Sequence, residues 1–168
     1  RCGHPEVIYC ASKSSEEIVA ITGALLEAHG LAFGTRCPAD VASVVLSKLP
    51  GGDYDPVART VRYGRPRPLR ALPPVALISA GSSDRAVVAE AYRTLETFGF
   101  ETMTFTDVGV AGIHRLLDIL PAIEQCSVAI VVAGMEGALP SVVGGLIPQP
   151  VIAVPTSVGY GTALEGIT

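Results

Sequence analysis

The chain has 168 residues, 49% of them hydrophobic and 17% charged, with a formal charge of −4 and no Trp. That length supports one sizeable core, or a core with a small companion unit. The acidic balance gives no reason to expect nucleic-acid binding, no apolar run reaches the ~18 residues of a membrane helix, and the four cysteines lack paired metal-site spacing and read as reduced, cytoplasmic thiols.

Two regions separate along the chain. In residues 1–63, "PEVIYC" reads as a short strand from Pro5 to Cys10. "SSEEIVAITGALLEAHG" reads as a helix, with Ser at the cap, acids in the first turn, Ile18, Ile21, Leu25 and Ala28 at helical spacing, and Gly30 as the stop. "LAFGTR" is a second strand, "PADVASVVLSKL" a second helix with Pro38 in its first turn, and "PVARTVRYG" a third strand. Residues 64–73 form a linker whose X-Pro steps favour extended chain. Five arginines fall between Arg59 and Arg70; they suit either a solvated basic tether or a contact with phosphate or another subunit.

Residues 74–168 change character. "VALISA", "FETMTF", "SVAIVVAG" and "PVIAVPT" are apolar runs of strand length. They alternate with helical patterns at "SSDRAVVAEAYRTLETFG", at "GIHRLLDILPAIEQC" (interrupted or kinked near Pro121) and at "ALPSVVGGL". Strictly alternating strands and helices predict parallel βαβ units, and continuously apolar strands predict a sheet covered on both faces. The expectation is a doubly wound three-layer αβα domain behind a small α/β unit.

In such a sheet, ligands bind at the carboxyl ends of the strands. The loops that follow the strands are "AGSSD", "TDVGVAGIHR", "AGMEGALP" and "PTSVGYG", each rich in Gly or Ser. Small residues let backbone amides approach a ligand, and a helix start turns those amides toward an anion. Ser82, Ser83 and Asp84 are candidates for holding phosphate or ribose, with helix capping as the alternative. Asp107 is a candidate carboxylate or an ordinary turn former. His114 and Arg115 are candidate phosphate ligands or a plain helix start. Ser157 and Tyr160 are candidate pocket residues or packing groups. Glu136 is the sole charge between Val131 and Gly145, flanked by Gly134 and Gly137. A carboxylate pressed into an apolar loop would be a raised-pKa general base.

At these loops the chain resembles the PurE family, through "GSSD", "HR" after the second strand, "AGMEGALP" and "PVIAVP" in that order. The resemblance implies a flavodoxin-like subunit that assembles into octamers and works on a carboxylated aminoimidazole ribonucleotide in purine synthesis. One branch is closer. "PEVIYC", "YDPVART", "DVGVAGIHRLL", "VVAGMEGALPSVVGGL" and "PVIAVPTSVGYG" together resemble the LarB family across nearly the whole chain. That branch makes pyridinium-3,5-biscarboxylic acid mononucleotide for nickel-pincer cofactor assembly.

The LarB resemblance implies a substrate, nicotinic acid adenine dinucleotide, carboxylated at C5 of its pyridine ring and cleaved at its phosphoanhydride to release AMP. It implies CO2 or bicarbonate as co-substrate and a divalent metal, Mg2+. The proton-shuttling His of PurE enzymes, in an Ala-His-Leu-Pro segment, corresponds to Ala138 here, so Glu136 and Asp107 become the candidate base and metal-facing groups. Ser82, Ser83, Asp84, His114 and Arg115 would bind phosphate and ribose, and Ser157 and Tyr160 would line the pyridine pocket. The resemblance also implies a nucleophilic Cys beyond Thr168, so the expectation is that this chain alone does not carboxylate. A PurE-type carboxylase or mutase, or a non-catalytic nucleotide-binding scaffold, are the alternatives.

Overall fold

The computed structural model of the chain describes residues 4–157. The first region forms β1 (Val7–Tyr9), α1 (Ser15–His29), β2 (Leu31–Thr35), α2 (Ala39–Lys48), β3 (Asp53–Asp55) and β4 (Thr60–Gly64). Ser14 caps α1 through a reciprocal pair: its hydroxyl accepts from Glu17 N at 3.2 Å, and Glu17 accepts from Ser14 N at 2.8 Å. Gly30 ends α1 in the left-handed region at φ 66°. Pro38 sits at the cap of α2, one residue ahead of its first turn.

The four strands make a mixed sheet in the order β1-β2-β4-β3, with β1 and β2 parallel and the other pairs antiparallel. One face packs Ile8, Ala32, Val61 and Tyr63 against Ile18 of α1 and Ala42 and Val45 of α2. The other face presents Leu31 and Phe33, which pack on Phe98 beyond the end of the next region's first helix. Phe33 and Phe98 meet edge to face at 6.2 Å. Successive β2 side chains thus point to opposite faces and both faces are covered.

The second region forms β5 (Val75–Ser79), α3 (Arg85–Thr97), β6 (Thr102–Phe105), α4 (Ile113–Ile123), β7 (Val128–Ala133), α5 (Ala138–Leu146) and β8 (Val151–Pro155). All pairs are parallel, in the order β6-β5-β7-β8. Counted within the region this is the flavodoxin-like order 2-1-3-4, so chain direction across the sheet reverses between β5 and β7. Helix α3 covers one face, with Val88 on Leu77 and Val132. Helices α4 and α5 cover the other, packing Leu116, Ile123, Leu139 and Val143 on Ala76, Ile78, Ala129 and Val131. The three-layer αβα expectation holds. Helix α4 continues through Pro121 to Ile123, so the proline falls in its last turn, close to where it ends.

The linker is no free tether. Arg67 N donates to Thr97 O at 2.9 Å and Arg70 N to Gly99 O at 2.8 Å, which fastens extended chain to the corner between α3 and β6. The Arg70 guanidinium lies 4.6 Å over the Phe100 ring. Gly99 has φ 79°, and a Cβ there would meet Pro68 O at 2.2 Å. Gly99→Ala is therefore expected to lose about 1–2 kcal/mol to the left-handed backbone alone, and more as the linker shifts. A thermal melt of the variant checks this, and an unchanged midpoint would show the corner to be tolerant.

Among the described residues, no helix is long and apolar enough to cross a membrane.

Candidate functional site

Backbone hydrogen bonds fix two of the four loops at the carboxyl edge of the parallel sheet. Val108 N donates to Ser79 O and Gly109 N to Ala80 O, both at 3.1 Å, which ties the loop after β6 to the end of β5. Gly109 is required there, because a Cβ would sit 2.9 Å from Ala80 O. Thr156 N donates to Ala133 O at 2.9 Å, tying the chain after β8 to the end of β7. Two non-glycine residues take left-handed backbone in these loops, Asp107 at φ 60° and Met135 at φ 57°. Such conformations are uncommon outside Gly and cluster at functional sites.

The loops enclose a crevice of ≈ 340 Å³ at the point of strand-order reversal. Ser83, Asp84, Asp107, Arg115 and Glu136 all line it, together with Ala138 and the backbone of Gly81, Gly109 and Gly134. Ser82 lines an adjoining chamber of ≈ 300 Å³. The sequence had spread these residues over more than fifty positions, and the topology returns them to one rim.

Each side chain has a distinct setting. Asp84 is buried, with Oδ2 accepting from Gly81 N at 3.1 Å and Oδ1 from Thr156 Oγ1 at 2.9 Å. Its carboxylate clamps the loop after β5 to the chain after β8, and Ser82 and Ser83 remain exposed beside it. Asp84 thereby shapes the crevice from behind. Asp84→Ala would leave one buried and one half-buried donor without acceptors and is expected to cost about 1–3 kcal/mol. Urea unfolding of the variant measures this; an undisturbed midpoint would mean that the clamp holds nothing.

Arg115 Nη1 donates to Asp107 Oδ2 at 3.2 Å. Both side chains are largely exposed, so this pair adds little stability. The guanidinium lies against Gly112, where a Cβ would come within 2.7 Å of it. Glycine at 112 therefore lets the cation fold down onto the start of α4. His114, its neighbour, is exposed and does not line the crevice. Ser157 is exposed one residue past Thr156, and Tyr160 lies outside the described residues.

Glu136 differs from expectation. Its loop was expected to desolvate it, yet the residue is exposed and lies just ahead of Gly137, which caps α5 at φ 66°. Met135 next to it is also exposed. A loop of glycines and one Met is too open to bury a carboxylate from a single side. Among the described residues no side chain caps α5, and Ala138 and Leu139 at its start line the crevice.

Cys10, Cys37 and Cys126 are buried, free, and absent from the crevice lining. Burial pushes the Cys126 thiol up, away from the thiolate form. Among the described residues no three His, Cys, Asp or Glu side chains cluster as a metal cage. Mg2+ does not demand one, since it takes one or two carboxylates together with substrate phosphates. Asp107, with one oxygen engaged by Arg115, and the exposed Glu136 line the same crevice and suit that habit. Sequence reasoning passed over Thr156 and Arg85, of which Arg85 lines the adjoining chamber. A hydroxyl directly after an apolar strand was the available signal for Thr156, and a cation at the first position of α3 was the signal for Arg85.

Comparison with known proteins bears on this geometry. Residues 1–65 match the family model described as LarB/PurE-like N-terminal domain, and residues 74–167 match AIR carboxylase. The chain is 40% identical over 169 residues to the uncharacterized protein MJ0165 of Methanocaldococcus jannaschii, covering 96% of this chain. The chain spans 66% of that relative's length. With a LarB/PurE-like unit joined to an AIR carboxylase domain of flavodoxin-like topology, the chain belongs to the PurE-related LarB family.

Proposed function

We propose that this protein serves nickel-pincer cofactor assembly by carboxylating the pyridine ring of nicotinic acid adenine dinucleotide at C5 and hydrolysing the phosphoanhydride to release AMP. Its family is one of PurE-like carboxylases and mutases. The observation that carries the finer reading is Ala138 in the crevice wall beside Glu136, with no His among the residues that line it. Carboxyl transfer on an aminoimidazole needs an imidazole-like acid/base group at that place, and a carboxylate suits proton removal from an activated ring carbon.

A pyridinium ring is electron-poor and does not attack CO2. A nucleophile first adds to the ring and leaves C5 electron-rich. C5 then forms a bond to CO2, a base takes the C5 proton, and the returning electron pair restores the ring as the nucleophile departs. A thiolate suits the reversible addition. The buried Cys10, Cys37 and Cys126 are not placed for it, so the thiol would come from outside the described residues. Glu136 is the base in this scheme. Arg115, Ser83 and the amides at the start of α5 would hold the phosphate of the pyridine half. A Mg2+ ion held by Asp107 and substrate would neutralise charge at the anhydride and leave Glu136 free as the base. Exposure of Glu136, Met135, Ile113 and Leu117 supports a homo-oligomer in which a second copy closes over the crevice and dries the carboxylate.

The test is mass spectrometry of products from the full-length protein given nicotinic acid adenine dinucleotide, bicarbonate and Mg2+. A ring-carboxylated mononucleotide and AMP are expected. The AIR carboxylase match over residues 74–167 favours one other reading, a mutase or carboxylase of aminoimidazole ribonucleotide. Turnover of that substrate, with none of the dinucleotide, would establish it instead.

A further inference from the structure

The crevice does not end at Asp107. The adjoining ≈ 300 Å³ chamber shares Gly81 and Asp107 with it and is walled further by Ser79, Val88, Thr106 and Arg85. Arg85 and Val88 in turn belong to a third chamber of ≈ 450 Å³. The far wall of that chamber comes from the N-terminal unit, through Asp55 and Val57, and its near wall from Tyr92 and Arg93 of α3. Shared lining residues place the three chambers in series, from Arg115 in the first to Asp55 and Val57 of the N-terminal unit in the third.

Three features indicate what the far part holds. First, Arg36, Lys48, Arg62, Arg93 and Arg115 each pair with a carboxylate. Arg85, like Lys13, Arg59, Arg65, Arg67 and Arg70, has no such partner among the described residues, and of these six it is the one that lines the second and third chambers. An unpaired guanidinium there suits a phosphate. Second, Tyr92 and Val57 are 41% and 38% exposed and face a common chamber, an aromatic and an aliphatic surface of the kind that sandwiches a planar base. Third, Asp55 uses Oδ1 to accept from Val57 N and Ala58 N at 2.8 and 2.9 Å, which fixes its carboxylate and leaves Oδ2 open for ribose hydroxyls. The chamber near Arg115, at ≈ 340 Å³, lies near the lower bound for small-molecule sites and fits one nucleotide better than two.

The geometry points to a second nucleotide subsite, in which Arg85 meets the phosphate bridge and the adenylate half of a dinucleotide lies between Tyr92 and Val57. It rests on the dinucleotide reading above and gives the N-terminal unit a role in substrate binding. Calorimetry on the full-length protein with nicotinic acid mononucleotide, nicotinic acid adenine dinucleotide and AMP tests it.

Wild type should bind the dinucleotide more tightly than the mononucleotide. Arg85→Ala and Tyr92→Ala should each weaken the dinucleotide and AMP at least tenfold and leave the mononucleotide within twofold, which also reports an intact fold. Val57→Arg, on the other unit, should do the same. Unchanged dinucleotide affinity in all three, or an equal loss for the mononucleotide, would overturn the subsite while the function stands. Wild type binding neither pyridine nucleotide would end the dinucleotide reading and the subsite with it.

Discussion

Replacing Glu136 by Gln is expected to lower carboxylation by about 10²–10⁴-fold, the usual contribution of a positioned general base. Nucleotide affinity should stay within twofold. The amide keeps the shape of the side chain and loses the ability to take a proton. Glu136 stands between a left-handed Met135 and a left-handed Gly137, so its Cα is held at the mouth of the crevice by a loop of fixed shape. It makes no ion pair among the described residues, so its loss breaks none there. Single-turnover product formation, with calorimetry beside it, separates the two effects. Full turnover in the variant would remove Glu136 from the chemistry, and a parallel loss of affinity would make it a binding group instead.

Most of the second region was legible because its physics is local and repetitive. Apolar runs of strand length between helical patterns admit few arrangements, and the rule that ligands gather at carboxyl ends of parallel strands then selects the loops. Ser83, Asp107, Arg115 and Glu136 fall into one group on the sequence alone. What was hidden depends on partners far along the chain. β3 has the sequence Asp-Tyr-Asp between Gly52 and Pro56, which carries no strand pattern of its own. It is a strand because β4 supplies an antiparallel ladder, with Tyr54 opposite Val61. The linker reads as a solvated tether or as a contact segment; its side chains are exposed, but its main chain is fastened through amides that sequence does not distinguish. The clamp between Asp84 and Thr156 joins residues 72 positions apart, so no local pattern announces it. Exposure of Glu136 was misjudged for a related reason: apolar neighbours in sequence do not enclose a side chain unless a second surface closes over them.

Arg93→Ala should be among the most damaging substitutions to stability, and its effect should fade in acid. Arg93 reaches from α3 to Asp53 on β3 at 2.6 Å and to Glu96 on its own helix at 2.9 Å. Arg62 of β4 makes the complementary pair, at 2.9 Å to Asp53 and 2.8 Å to Glu96. Two carboxylates and two guanidiniums thus alternate across the contact between the two units. The Arg side chains are 12% and 11% exposed, and Asp53 and Glu96 are 56% and 39% exposed. Both acids are partly solvated and keep Arg62 as a partner after the change, so no buried charge is left unpaired; the loss is that of hydrogen bonds to charged groups, about 1.5–3 kcal/mol. Arg93 Nε is buried without a partner, which lowers the net worth of the native arrangement. The hydrogen bond from Arg93, aided by the charges of Arg93 and Arg62, holds the Asp53 carboxyl below its ordinary 3.8. A carboxyl depressed in the folded state stabilises above its unfolded value and loses that contribution as pH falls through the folded one. The difference in unfolding free energy between wild type and Arg93→Ala should therefore be constant near neutrality and shrink below about pH 4. Urea titrations at several pH values measure it, and Asp53→Asn should show the same convergence. A difference that does not move with pH would mean that Arg93 acts through the packing of its stem against the β3 edge, and that charge pairing does not hold the two units together.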